Sequence, residues 1–226
     1  MSATTSLPGD KRARTRDQLL AAAQEMLMEH SVARLGVREI AARAGLVHGT
    51  FYNYFEDLDA LIEEIAALLA AAHADAAAPL VVGVDDPAVR FARITRQALR
   101  TMAQRPLLGR LLFEAGLPAG ALVMRLRAQL RGDIAAGVHQ GVFRVDDVDL
   151  AASLTAGAIS GLAQDIHAGL LAAAKIDAAV AALLVSLGVT RVRAMRLATE
   201  PVDFPEPPAT PLRWLALSAP LRPGST

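Results

Sequence analysis

The sequence predicts an all-α protein, and three observations carry that expectation. Alanine and leucine, both strong helix formers, dominate the intervals between prolines. Alternating runs of β-branched and aromatic residues, the mark of strands, are missing. Prolines, which helix interiors exclude, act as punctuation. None falls between Gly9 and Ala78 or between Ala119 and Glu200, Pro79, Pro87, Pro106 and Pro118 stand at expected junctions, and seven of the twelve lie after residue 200.

Taken from the N-terminus, the Ser, Thr, Pro and Gly residues before Lys11 lack the apolar core of a secretory signal, so residues 1–10 are expected to form a disordered arm. Lys11, Arg12, Arg14 and Arg16 then open a basic helix. Residues 11–55 hold seven bases against four acids, whereas Glu56, Asp57, Asp59, Glu63 and Glu64 follow without a base. Because the formal net charge is +0, a case for nucleic acid rests on this local distribution of charge and not on the total.

The segment VREIAARAGLVHGTFYNYF, residues 37–55, fits a helix-turn-helix. Such a unit needs apolar residues where two helices face the core, a small residue where they touch, and tolerance of positive φ at the turn. Ile40, Ala44, Leu46, Phe51 and Tyr54 fill the core sites, Ala41 is the small contact and Gly45 makes the turn. The second helix, about 47–53, would lie in a major groove. His48, Gly49, Thr50 and Asn53 are then the exposed candidates for bases and phosphates, with Tyr52 and Tyr54 on the DNA backbone and Arg38 opening the preceding helix. Lys11 to Arg16 would reach flanking phosphates or the minor groove.

Farther along, Phe91, Ile94, Ala98 and Met102 recur at steps of three and four, with Arg93, Arg96 and Arg100 opposite; together with Arg90 and Arg105 these are expected to form a solvated face. Leu122, Leu126, Leu130 and Ile134 repeat the pattern over residues 121–139, and Ile176, Val180, Leu183, Leu184 and Leu187 over 176–187. Residues 150–164 are apolar or small all round and should be buried on more than one side. Ser153, Gly157 and Gly161 make a smooth stripe there, suited to a helix seam within or between subunits. Phe91, Met102, Phe113 and Met124 are core residues first, and would also line an apolar ligand cavity if the domain is built around one. After Thr199 the proline-rich tail should be extended, docked by Trp214 with Leu212, Leu215 and Leu217.

Several classes are excluded. The chain has no cysteine, which removes disulfides, thiol catalysis and thiolate metal sites. His73, His139 and His167 lack metal-site spacing, and no catalytic motif is present, so neither metal, cofactor nor enzyme activity is expected. The longest uncharged stretch, Leu150–Gln164, falls short of the ~20 residues that cross a bilayer, so a cytoplasmic protein without a membrane partner is expected.

The run from Val37 to Phe55, followed by Leu61, resembles the DNA-binding domain of TetR/AcrR-type transcriptional regulators over about residues 13–65, and a further echo runs from Gly137 to Gly161. The resemblance implies a three-helix DNA-binding domain joined through a fourth helix, about Leu58 to Ala74, to a larger helical domain that dimerises and holds a small molecule. It also implies Arg38, His48, Gly49, Thr50, Tyr52, Asn53 and Tyr54 as DNA contacts. Three positions depart from it: Gly36 and Val47 stand where Ser or Thr usually caps the two motif helices, and Leu58, between Asp57 and Asp59, replaces a common lysine. The expected domains are an arm at 1–10, a helix-turn-helix domain at 11–56, an effector-binding and dimerisation domain at 57–198 and a tail at 199–226. The expected function is a homodimeric repressor on a near-palindromic double-stranded operator, released by a small, mostly apolar effector. An activator, or a helical interaction protein that has lost DNA binding, remains open.

Overall fold

The computed structural model describes residues 8–117 and 119–206, with side chains except at 8–10 and 119–122. Among these residues the regular structure is helical, without strands. Helix α1 spans Pro8–Glu29 and so begins inside the expected arm; proline at a first helical position loses no intrahelical bond. It buries Leu19, Leu20, Ala23 and Leu27, spaced by one, three and four. A 3-10 turn, Val32–Arg34, leads to α2, Val37–Arg43, and α3, His48–Phe51.

Helix α4 runs Leu58–Ala77, three residues past the expected end. Asp57 caps it, accepting from the Ala60 amide at 2.8 Å, and Leu58 packs half-buried against the core. The residue replacing the family's lysine is therefore a packing residue. Leu58–Val81 is long and apolar enough, by composition alone, to span a bilayer. A search for uncharged stretches misses it because Asp59, Glu63 and Glu64 interrupt it. In this fold Leu61, Ile65 and Leu69 are buried, and α4 lies against α1.

Helix α5, Pro87–Gln104, opens on a proline behind the Asp86 cap. It is the central helix, touching α4 as well as the later helices α7, Ala119–His139, α8, Val148–His167, α9, Ile176–Ser186, and α10, Arg191–Thr199. That position overturns the expected solvated arginine face. The Arg96 side chain is 5 % exposed; its Nε donates to Asp177 at 3.2 Å and its Nη1 to the Glu200 carbonyl at 2.7 Å. The guanidinium groups of Arg96 and Arg100 stand 4.9 and 4.7 Å from the centre of the Phe204 ring. Arg93 donates to the Leu80 carbonyl and pairs with Glu200, and Arg90 donates to the Val81 and Val84 carbonyls. A helix with neighbours on every side has little solvent face to offer, so these arginines turn to carbonyls, carboxylates and a ring on the segments packed around it.

Residues 200–206 lie without helix along α5, held also by Gln97 Nε2 donating to the Pro205 carbonyl at 3.2 Å. The docking expected of Trp214 and its leucine neighbours lies outside the described residues. Between α5 and α7, the short α6, Pro106–Gly109, passes into a π turn, Arg110–Glu114. This segment is stitched to the end of α1: Arg110 donates to the Glu29 carbonyl at 3.3 Å, and the Val32 amide donates to the Ala115 carbonyl at 2.6 Å.

On α7 Leu130 and Ile134 are buried and Leu126 is half-buried, while the Leu122 side chain is outside the described set. Helix α8, capped by Asp147, buries Ala152, Thr155, Ala156 and Ile159 on one side only. The expected burial on several sides is not met within one chain. Leu150 and Leu154 remain 58 and 66 % exposed, and nothing lies within 4 Å of a side chain built at Gly157 or Gly161.

Candidate nucleic-acid interface and ligand cavity

The motif is held from beneath. Phe51 and Ile40 are fully buried, Phe55 and Leu35 nearly so, and Ala44, Leu46 and Tyr54 pack half-buried against them. Gly45 turns the chain between α2 and α3 at φ +72°, a conformation that disfavours any residue with a Cβ. Helix α3 is shorter than the 47–53 expected. Beyond Phe51 the chain continues as turns, with the Asn53 amide donating to the Thr50 carbonyl at 3.2 Å and the Tyr54 amide to the Phe51 carbonyl at 2.9 Å.

Arg38, His48, Gly49, Tyr52 and Asn53 are exposed, and Thr50 and Tyr54 are half-buried. The His48 and Tyr52 rings meet edge-on at 5.4 Å, which gives the exposed surface one stiff aromatic corner. Two bases of α1 also make contacts within the chain. Arg12 donates to the Asn53 carbonyl at 3.4 Å and lies 5.8 Å from the Tyr54 ring centre, while Arg16 pairs with Glu64 and covers Phe55 at 5.4 Å. Both contacts tie α1 to the motif, while Lys11, Arg12 and Arg14 remain exposed. Arg43 is also engaged, bonded to Glu29 at 3.1 Å, and that bond holds the Glu29 carboxyl below its ordinary range.

Sequence reasoning missed one residue of this surface as more than a lost cap. Val47, at the start of α3, is 75 % exposed and caps nothing. Placing an acceptor there should satisfy a free amide, which is worth about 1 kcal/mol. Val47→Thr is therefore expected to raise the calorimetric melting temperature by about 2–4 °C; an unchanged or lowered value would mean that the free amides of α3 are already satisfied.

In the helical body, α4, α5, α6 with the π turn, α7 and α8 line a cavity of about 250 Å³ that opens to solvent on one side. Met102 and Phe113 stand in its wall. The other two residues expected there do not. Phe91 packs edge-on against Phe143 at 6.4 Å and faces a second cavity of about 230 Å³ near Arg90 and Asp133. Met124 is 58 % exposed, because α7 turns Val123 and Leu126 to the cavity and their spacing leaves Met124 on another side. Residues missed include Leu69 and Leu112, together with the polar His73, Thr101, Arg125, Gln129 and Ser160. Burial pushes the His73 imidazole down from its ordinary value, and burial pushes the Asp133 carboxyl up despite the nearby Arg90. His167 is fixed by Glu114 at 2.7 Å and lies over the Phe113 ring, tying α8 to the cavity wall. Among the described residues no cluster of His, Asp or Glu could hold a metal ion.

Comparison with known proteins follows this division. The sequence profile of bacterial regulatory proteins of the tetR family matches residues 19–65. No curated protein sequence matches. Among solved structures, RolR in complex with its ligand resorcinol is similar over 88 % of this chain and 99 % of its own, at 31 % identity and a TM-score of 0.66. NalD of Pseudomonas aeruginosa, the secondary repressor of the MexAB-OprM multidrug efflux pump, shares the fold at 18 % identity and a TM-score of 0.62, over 78 % of this chain and 97 % of its own. An ArpA-like gamma-butyrolactone receptor shares it at 22 % identity and a TM-score of 0.54, over 83 and 96 % of the two chains.

Proposed function

The chain belongs to the tetR family of bacterial regulatory proteins, with a DNA-binding transcriptional regulator's fold, and from that premise we propose that it represses transcription as a homodimer until a small, mostly apolar effector releases it. Residues 11–56 read DNA, residues 57–198 bind the effector and dimerise, and residues 199–206 belong to the tail strapped onto α5. The observation that carries the reading is the run from His48 to Tyr54: polar and aromatic side chains displayed at the surface, on a support made rigid by buried Phe51 and Phe55. A surface of this kind is poorly suited to packing within its own chain and well suited to base edges and phosphates.

Arg38, His48, Gly49, Thr50, Tyr52, Asn53 and Tyr54 are the contacts assigned, with Val47 beside them as an apolar partner for a thymine methyl. One short helix touches only a few base pairs, so specificity requires two copies spaced along a near-palindrome. The uncovered stripe of α8 supplies the seam. The effector enters the cavity of about 250 Å³ and shifts α4, which changes the separation of the two reading heads. RolR's complex with resorcinol, a single-ring compound, supports an effector of that scale. Effector binding and DNA binding must weaken each other by the same factor.

The test is a salt titration of binding to the DNA flanking the chain's own gene. Affinity should fall linearly on logarithmic axes, and Tyr52→Ala should lower it by about tenfold or more, the cost of one hydrogen bond to a charged group. Salt-independent binding, or an unaffected Tyr52→Ala, would remove these residues from the interface.

A further inference from the structure

The cavity's size and its few polar groups say more about what enters it than the regulator reading requires. An apolar cavity of about 150 Å³ accepts benzene, while drug-sized ligands occupy roughly 300–1,000 Å³. At about 250 Å³, and open at its mouth, this cavity accommodates one substituted ring. Leu69, Leu99, Met102, Leu112, Phe113 and Ile159 make most of the wall apolar.

The polar exceptions are unevenly placed, and Ser160 of α8 is one of them, a half-buried hydroxyl in the wall. Arg125 and Gln129 of α7 are exposed and stand at the mouth. The Thr101 hydroxyl already donates to the Gln97 carbonyl at 2.8 Å. Helix α4 contributes Leu69, Ala70, Ala72, His73 and Ala76, of which His73 alone can hydrogen-bond through its side chain. That imidazole has no hydrogen bond, ion pair or ring contact among the described residues, and burial disfavours its charged form. A neutral imidazole carries one acceptor nitrogen and one N–H donor. A carboxylate is drawn to Arg125 at the mouth, whereas at His73 it would meet a neutral imidazole in an apolar wall. A neutral hydroxyl on a flat ring meets the acceptor nitrogen without bringing a charge there, and its ring faces Phe113.

We infer that the cavity takes a neutral, single-ring phenol whose hydroxyl donates to His73, and that this bond is the grip by which the ligand moves α4. The inference rests on the ligand-released regulator reading. His73 lies fifteen residues beyond Leu58, about 22 Å along the helix at 1.5 Å per residue. The near end of α4 starts three residues after buried Phe55, and its Glu64 is paired with Arg16 of α1. A displacement at His73 is thus transmitted by a rigid helix to the reading head.

Calorimetric titration of the full chain with phenol, anisole, toluene and benzoate tests this, alongside release of the flanking DNA by each compound. Phenol should bind more tightly than anisole, which keeps the oxygen but loses the donor, and benzoate should be weaker than phenol. In His73→Leu the phenol-to-toluene affinity ratio should drop by about tenfold or more, the worth of one buried hydrogen bond, and phenol should no longer release DNA. Continued uptake of toluene shows that the variant's cavity is intact; if the variant does not fold, the phenol–anisole comparison on the unaltered chain decides. Anisole binding as tightly as phenol, benzoate binding more tightly, or an unchanged ratio in His73→Leu overturns the inference. DNA binding without uptake of any of the four compounds also overturns it and leaves the regulator reading standing. Phenol selectivity in a chain that binds no DNA would instead overturn the regulator reading.

Discussion

Replacing Leu154 with arginine is expected to leave the chain folded but monomeric, and to lower its affinity for a two-half-site duplex by at least about a hundredfold. Leu150, Leu154, Gly157 and Gly161 follow one another at steps of four, three and four, so they share one side of α8. That side is uncovered: the two leucines are 58 and 66 % exposed, and both glycines face open space. Ala178, Ala182 and Val185 repeat the spacing on α9, with Val185 43 % exposed. Two such stripes from one chain, met by the same two from its twin, would bury a contiguous apolar seam with backbones close together at the glycines. In a two-fold seam the new arginine appears twice, and each copy would lose its hydration without gaining a partner. Because two linked reading heads multiply their affinities, separating them forfeits far more than one contact. Sedimentation and operator titration check both halves of the expectation. A dimeric Leu154→Arg with undiminished DNA affinity would move the seam elsewhere.

Arg96→Ala is expected to destabilise the helical body by about 3 kcal/mol. Removing one member of a buried ion pair costs roughly 3–5 kcal/mol. The lower end applies because Arg96 is 5 % exposed but its partner Asp177 is 40 % exposed and can rehydrate. The same substitution releases the Glu200 carbonyl and one side of the Phe204 ring, so the segment 200–206 should detach from α5. At about 2–4 °C per kcal/mol for a chain of this size, the melting temperature should fall by about 6–12 °C. Lysine at this position should recover only part of the loss, since an ammonium cannot reproduce the planar fork that serves the carboxylate, the carbonyl and the ring together. A drop of less than about 2 °C, read by calorimetry, would mean that the clasp is incidental to stability.

The contrast between these two regions shows where sequence reasoning works. The reading motif is legible because its constraints are local: Ile40, Ala41, Gly45 and Phe51 sit within a dozen residues and each has a distinct physical requirement. Helical periodicity mistakes the arginines of α5 for a solvated face because Asp177 and Glu200, the partners of Arg96 and Arg93, lie 81 to 107 residues away, and Phe204 lies beyond them. Phe91 and Met124 suit a core or a cavity wall alike by size and polarity, whereas membership of the wall depends on how α5 and α7 are rotated against their neighbours. In the sequence His73 reads as one more surface or core histidine without metal-site spacing. Its chemistry emerges once α4 is seen to turn it, alone among its polar residues, into an apolar wall. Leu58 reads as a missing phosphate contact until the Asp57 cap and the packing beneath it give the pair a structural purpose.

The central claim is that two copies of the His48–Tyr54 surface address one duplex together. Hydroxyl-radical footprinting of the full chain on a duplex selected from a random pool tests it most directly. The account predicts two protected patches on one face of the DNA, separated by about one helical turn or a little more and related by the symmetry of the selected sequence. A single patch, or protection that persists after Tyr52→Ala and Leu154→Arg are combined, would contradict it.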